Sequence, residues 1–216
     1  MLEKMDSFFE NRLDGYEEHM LAAIEGAAGF YPFTAALLPA ETGGEVLDLG
    51  CGTGLELEEY FALNPGARVT GVDLSAAMLD ALARKFPDKN LRLINGSYFD
   101  VPFEEKKYAA AVSVESLHHF PAERKRQLYQ KLLRALADGG YFILTAYFAE
   151  TSELELVYFE ELERLKREQN ITDDAFYHYD TPLTVEHEAD VLKSAGFSDV
   201  RILKNWGATY TLKAIR

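Results

Sequence analysis

Nine residues, Val46-Leu47-Asp48-Leu49-Gly50-Cys51-Gly52-Thr53-Gly54, constrain the fold of this chain more than any other stretch. A short apolar run carrying an acid enters a loop with glycine at alternate positions. Glycine turns the backbone tightly and lets it approach a ligand with no Cβ in the way. A helix starting at about Leu55 then aims its unpaired N–H groups over the loop. Strand, glycine turn and helix in that order build a site for a nucleotide-like ligand.

The rest of the chain repeats the strand–helix alternation that such a site needs. Residues 1 to about 40 read as helices, with Phe8, Phe9 and Leu13, then Met20, Leu21 and Ile24, at helical spacing. Gly26, Gly29 and Pro32 interrupt this run. Strands are expected at 46–49, 68–72, 91–94, 109–114 and 141–146. Ser75 caps one intervening helix, and Pro121 opens another that puts Tyr129, Leu132, Leu133 and Leu136 on one face before Gly139-Gly140. This pattern implies right-handed crossovers and a mostly parallel sheet covered on both faces. Residues 151–169 form a long amphipathic pattern with Leu154, Val157, Tyr158, Leu162 and Leu165 on its apolar side. With the aromatic-rich stretch 171–182 they read as an insertion over the carboxyl edge of the sheet. A helix over 184–195 ends at Gly196. Strands at 200–203 and 209–214, separated by Asn205-Trp206-Gly207, are close enough only for an antiparallel pair.

Composition narrows the partners. The 216 residues suit one domain, and 36 acidic against 22 basic residues leave a formal net charge of −14. Such a field repels phosphate backbones and anionic membranes, so nucleic acid is disfavoured as a partner. One cysteine excludes an intramolecular disulfide and fits a reducing compartment. The first residues lack a basic segment followed by an apolar one, and no window approaches 18 apolar residues. A cytoplasmic protein, monomeric or homodimeric, with no membrane partner is expected.

The dinucleotide fingerprint G-x-G-x-x-G places its third glycine one position later than this loop does. An ionised Asp48 beside the loop would also repel a pyrophosphate, whereas it would attract a ligand carrying an ammonium and a sulfonium. With Asp73 at the end of the next strand, VLDLGCGTG resembles the first motif of class I S-adenosylmethionine-dependent methyltransferases. The resemblance covers roughly residues 43–214. It implies a Rossmann-like, doubly wound α/β fold with a seven-stranded sheet, mostly parallel, whose last strand is antiparallel. It also implies one domain over 1–216: a helical lid at 1–40, a cofactor-binding half at 43–146, a cap insertion at 147–182, and a helix and strand pair at 183–216.

Carried over by position, Asp48, Gly50, Gly52 and Gly54 pack against the methionine part of S-adenosylmethionine, and Cys51 contributes backbone. Asp73 accepts from the ribose hydroxyls, with Leu74 beside it; its other reading is a carboxylate at a helix N-terminus. Ser97, Tyr98 and Phe99 occupy the adenine segment, with Ser97 where the family usually has aspartate, a change that weakens a hydrogen bond to the exocyclic amine. Ser113, on the fourth strand, completes the cofactor set. Leu117-His118-His119 is similar to the same position in many small-molecule methyltransferases, and the Asn/Asp-Pro-Pro-aromatic sequence of the DNA and glutamine N-methyltransferases is absent.

His118 is the candidate general base, since imidazole titrates near neutrality; its other reading is a histidine that satisfies backbone groups. Tyr16, Tyr31, His118 and Tyr147 are the candidate substrate wall, and aromatic faces there would attract a sulfonium. No metal is expected: His118 and His119 are read as pointing in different directions, and His178 or His187 would have to arrive from the insertion with carboxylate help. The basic residues Arg124, Lys125, Arg126, Lys131 and Arg134 are read as a solvated helix face rather than a nucleic-acid stripe. The expected reaction is transfer of a methyl group to O, N or S of a small molecule. The alternatives are a tRNA-pathway methyltransferase or carboxy-S-adenosylmethionine-type enzyme, a non-catalytic S-adenosylmethionine-binding protein, and, more distantly, an NAD dehydrogenase.

Overall fold

The computed structural model describes residues 1–40 and 44–216; residue 43, where the family likeness was expected to begin, lies outside the described residues. Seven strands form one sheet: β1 (Glu45–Leu49), β2 (Arg68–Asp73), β3 (Asn90–Asn95), β4 (Tyr108–Val114), β5 (Leu136–Tyr147), β6 (Asp199–Trp206) and β7 (Thr209–Ile215). Their order is β3-β2-β1-β4-β5-β7-β6. The first five run parallel, and β7 is antiparallel to both β5 and β6. The expected fold class holds. The chain order reverses between β1 and β4, and in open α/β sheets the crevice at such a switch point is where ligands bind.

Among the described residues, eight α-helices accompany the strands: α1 (Met5–Glu10), α2 (Tyr16–Ala23), α3 (Ala27–Ala36), α4 (Leu55–Leu63), α5 (Ala76–Lys85), α6 (Ala122–Ala135), α7 (Ser152–Glu168) and α8 (Val185–Ala195), with a 3₁₀ turn at Leu117–His119. Alternation along β1 serves two apolar layers. Val46 faces Phe30, Ala35, Leu57 and Phe61 of α3 and α4, whereas Leu47 and Leu49 face Leu128 and Leu132 of α6 and Leu192 of α8. Burying both faces explains why β1 is apolar almost throughout. The Ser75 hydroxyl accepts from the Met78 N–H and starts α5 as expected; Thr184 caps α8 in the same way, and Gly196 ends it at φ +114°.

Four expectations need correction. The fifth strand begins at Leu136, not near 141, because Leu136 turns extended and pairs with Tyr108 across an irregularity in the β4–β5 register. The helix over the insertion does not bury its apolar stripe: Leu154 and Val157 are exposed, and the inward residue of α7 is Glu155, which accepts from the Thr184 N–H and lies 2.7 Å from His187 Nδ1. Asn205 and Trp206 belong to β6 rather than to the turn. Trp206 packs so closely on Gly26 and Gly29 that a Cβ at either would lie within 2.7 Å of its atoms. This is why glycines interrupt the N-terminal helices.

The basic face of α6 is solvated only in part: Arg126 and Arg134 lie at the surface, but three other cations turn inward. Lys125 is fully buried, 2.5 Å from Glu188 of α8, and the Tyr129 hydroxyl donates to the same carboxylate. Lys131 donates to the carbonyls of Tyr98 and Phe99, and Arg124 lies over the rings of Phe99 and Phe176. These cations are used inside the molecule. Among the described residues, no helix is long and apolar enough to cross a membrane.

Candidate active site

The loop after β1 takes the shape that its glycines permit. Gly50, Gly52 and Gly54 all have positive φ, at +73°, +47° and +75°. Their surroundings differ. A Cβ at Gly50 would meet Ser116 Oγ at 2.1 Å, and one at Gly54 would meet Leu82 Cδ1 at 2.5 Å, so these two are needed for packing as well as for turning. A Cβ at Gly52 would find only the Tyr16 hydroxyl, at 3.9 Å. Gly52 therefore bares its backbone to open space, the arrangement that a closely approaching ligand requires.

That space is a cleft of about 620 Å³ lined by Gly50, Gly52, Asp73, Leu74, Gly96, Ser97, Tyr98 and Phe99 from the sheet edge, and by Met5, Phe9 and Tyr16 from α1 and α2. Asp73 holds the cradle together: one carboxylate oxygen accepts from the Gly52 N–H and the other from the Ser75 N–H, each at 2.8 Å. Burial raises its pKa while those N–H bonds oppose the rise. Each oxygen keeps a further lone pair, so a diol in the cleft finds two acceptors in fixed positions. Ser97 Oγ accepts from the Phe99 N–H and shapes the turn at the adenine end. Tyr98 is buried against Ser116, and Phe99 packs on Phe120 and Phe176.

The structure does not bring every predicted residue to the cleft. Asp48 is wholly buried beneath the loop, and no protein N–H or hydroxyl reaches either of its oxygens. Burial, together with the neighbouring acid Glu56, drives its pKa well up. An acid so placed favours its neutral form, so charge repulsion from Asp48 is not what excludes a pyrophosphate; the acid on the cleft wall is Asp73. Cys51 is buried against Gly71, as expected for a backbone contributor, and its thiol is pushed far up by burial. Ser113 lies within the sheet and donates to the Leu49 carbonyl, because its side chain points between β4 and β1 rather than out of the strand end. Tyr31 is buried beside Phe30 in the α3 layer and lines neither the cleft nor the cavity described next.

A second, larger and more open cavity adjoins the first. Phe9, Tyr16, Glu115 and His119 line both, so they form the shared wall. His118, Tyr147, His178, Asp180 and Thr209 line only the second. The Tyr147 hydroxyl bonds that of Tyr158 on α7 at 2.9 Å. His118 is 3.6 Å from Glu115 through Nδ1 and 3.5 Å from Asp180 through Nε2, and His119 Nδ1 is 3.1 Å from Asp180. The two histidines thus converge on one carboxylate, with ring centroids 4.1 Å apart, contrary to the expectation that they point apart.

Glu115 was not singled out from sequence. It follows β4 with φ +48°, a conformation that costs a non-glycine residue of order 1–3 kcal/mol and clusters at functional sites. Its side chain is only 8% exposed, accepts from the Thr209 hydroxyl at 3.3 Å, and has its pKa pushed up to about 8 by burial. The one sequence signal was an acid at the carboxyl end of a central strand, three residues before the first histidine of the pair.

A family model described as a methyltransferase domain matches residues 46–140. The carboxy-S-adenosyl-L-methionine synthase of Wolinella succinogenes is 30% identical over 94% of this chain and 88% of its own. The chain belongs to the class I S-adenosylmethionine-dependent methyltransferases. A tRNA (carboxymethyluridine(34)-5-O)-methyltransferase of Arabidopsis thaliana is 30% identical over 59% of this chain. The chain spans 30% of that relative and less than half of several others. Among solved structures, phosphoethanolamine N-methyltransferase 2 of Haemonchus contortus in complex with S-adenosyl-L-methionine superposes with a TM-score of 0.69 at 19% identity. The match covers 92% of this chain and 45% of that one, and it speaks for the fold. S-adenosylmethionine is the cofactor of the family, and the Gly52–Asp73 cradle fits it: bare backbone beside the tail and two fixed acceptors for a ribose diol.

Proposed function

We propose that the chain transfers the methyl group of S-adenosylmethionine to O, N or S of a small molecule seated in the second cavity. One observation carries this reading: the cradle and the cavity meet at a common wall of Phe9, Tyr16, Glu115 and His119. The sulfonium brings its own leaving group, so the protein's main task is to align the acceptor with the methyl carbon and exclude water. Orientation of this kind is worth roughly 7–11 kcal/mol of barrier.

In the cradle, Asp48, Gly50, Cys51, Gly52 and Gly54 supply the loop and its support, Asp73 and Leu74 the ribose contacts, and Ser97, Tyr98 and Phe99 the adenine contacts. Residues 1–40 and 147–182 act as lid and cap, with α1 and α2 as the covering part. Bonds from the Met5 N–H to the Phe176 carbonyl and from the His178 N–H to the Glu3 carbonyl fasten one to the other. Among the acids and histidines that line the second cavity, Glu115 and His118 are the candidate bases for an acceptor that must lose a proton, and Tyr16 and Tyr147 flank it. Among the described residues, Arg12 is the one Lys or Arg lining that cavity, and Glu3 already holds it at 2.8 Å, which speaks against a nucleic-acid backbone there. The single cysteine supports a place in a reducing compartment, the cytoplasm.

The near full-length likeness to a carboxy-S-adenosylmethionine synthase favours a second reading, in which the cofactor itself is modified. Calorimetry with S-adenosylmethionine and with NAD tests the cradle: the first binds one per chain and the second does not. Mass spectrometry of turnover mixtures then separates the two readings, since methyl transfer leaves S-adenosylhomocysteine and cofactor modification leaves a heavier sulfonium.

A further inference from the structure

We propose that His118, His119 and Asp180 form a binding site for one divalent transition-metal ion in the wall of the second cavity. One donor atom from each lies within 4.8 Å of the other two. The separations from the Asp180 carboxylate oxygen, 3.5 Å to His118 Nε2 and 3.1 Å to His119 Nδ1, bracket the edge of about 3.3 Å expected between ligands bound at 2.0–2.1 Å in a tetrahedron.

The backbone sets Asp180 between the histidines. On one side of it the Tyr179 carbonyl lies 3.2 Å from His119 Nδ1; on the other the Thr181 N–H donates to the His118 carbonyl at 2.9 Å. The cap segment is thus pinned to the 3₁₀ turn at the residues on either side of Asp180. An independent observation points the same way. His118 Nδ1 is buried with no hydrogen-bond partner, and its nearest neighbour is the Glu115 carboxyl at 3.6 Å. An ion on Nε2 would fix the tautomer with its proton on Nδ1 and turn it toward Glu115, the carboxylate–histidine–metal arrangement that orients ligating imidazoles.

The donor set indicates the kind of ion. Two imidazoles and one carboxylate suit zinc, iron, cobalt or nickel, whereas magnesium and calcium prefer all-oxygen ligands. An ion at His119 Nδ1 takes the ring with its proton on Nε2, so its hydrogen bond to the Tyr179 carbonyl is given up while no net proton is lost. His178 does not join: it stacks on Phe8 at 3.5 Å. Three protein ligands leave an open position, as in catalytic rather than structural zinc sites. That position faces the second cavity and would take a lone-pair oxygen, nitrogen or sulfur of the acceptor. Only this last step rests on the proposed methyl transfer; binding of the ion does not.

The test uses the tag-free, metal-stripped full chain titrated with cobalt(II), followed by its visible absorption, and with zinc in competition. One ion per chain is expected, displaced by zinc and not by millimolar magnesium. Asp180→Asn and His118→Ala should each weaken binding by at least about tenfold, while His187→Ala, which removes a histidine paired with Glu155 elsewhere, should not. S-adenosylmethionine affinity, measured calorimetrically, should be unaltered in Asp180→Asn and reports that the chain is folded. No stoichiometric binding by the unaltered chain, displacement by magnesium, or binding that survives both ligand substitutions would overturn the proposal and leave a hydrogen-bonded cluster only. Failure of methyl transfer would leave these readouts untouched.

Discussion

Replacing Asp73 with asparagine separates the two tasks assigned to this carboxylate. In the protein its oxygens accept from the N–H groups of Gly52 and Ser75. An asparagine has one carbonyl oxygen and one amide nitrogen, so in either flip a donor faces a donor and one N–H is orphaned. Leaving a buried donor unpaired costs about 1–3 kcal/mol. For a chain of this length each kcal/mol lowers Tm by about 2–4 °C. The ligand loses something else. Two ribose hydroxyls that donated to a charged acceptor now find at best a neutral one, a difference of about 1–1.5 kcal/mol per bond. Together that weakens S-adenosylmethionine binding roughly 30- to 150-fold. Calorimetry and thermal unfolding read the two effects separately. An analogue lacking one ribose hydroxyl completes the cycle: it should bind the unaltered chain less well and lose little further in Asp73→Asn. A lowered Tm with unchanged affinity would refute the ribose role and leave Asp73 as a clamp on the loop.

Gly52→Ala should cost about 1–2 kcal/mol of stability, from its positive φ alone, yet abolish cofactor binding because its methyl enters the cleft; Gly54→Ala should instead lower Tm severely, since its Cβ would overlap Leu82. Chemical denaturation with and without ligand distinguishes them. Lys125→Met leaves the Glu188 carboxylate buried without its counter-ion and should cost about 3–5 kcal/mol, against under 1 kcal/mol for Arg126→Ala at an exposed pair, both read by denaturant midpoints. Two pH trends oppose each other. His119, with its pKa lowered to about 4 against 6.5, binds fewer protons folded than unfolded, so its contribution is present above pH 6.5 and lost as pH falls toward 4. Glu115, raised to about 8 against 4.5, contributes fully below pH 4.5 and loses its contribution as pH rises to 8. Unfolding curves between pH 6.5 and 8 should therefore slope downward with pH in the unaltered chain and less steeply in Glu115→Gln; equal slopes would contradict the assignment.

The cradle was legible in sequence because its demands are local. Three glycines at alternate positions after an apolar strand leave the backbone few other courses, and Asp73 sits where the next parallel strand must end. The strand pair at the carboxyl end was legible for the same reason, since a short connection admits only one pairing. What escaped depends on contacts distant in the chain. Glu115 carries no marking for a positive φ, a conformation imposed by packing between the two cavities. Asp180 reaches the histidines across some 60 residues of chain, through the contacts of Tyr179 and Thr181 with them, and the segment before it bridges to Lys4 at the other end of the chain. Ser113 was read into the cofactor set, but its hydroxyl is used by the Leu49 carbonyl of the neighbouring strand, a contact that depends on pairing distant in the chain. On α7 the apolar periodicity was genuine, but the protein buries Glu155 there and leaves Leu154 and Val157 outside.

The central claim is that donor and acceptor compartments meet at Phe9, Tyr16, Glu115 and His119. A structure with S-adenosylmethionine bound tests it most directly. The ribose should lie on Asp73, the adenine along Ser97–Phe99, the tail over Gly52, and the methyl carbon should point through the shared wall toward the second cavity. A cofactor whose methyl group faces the protein interior or bulk solvent, or that sits away from Gly52, would contradict the account.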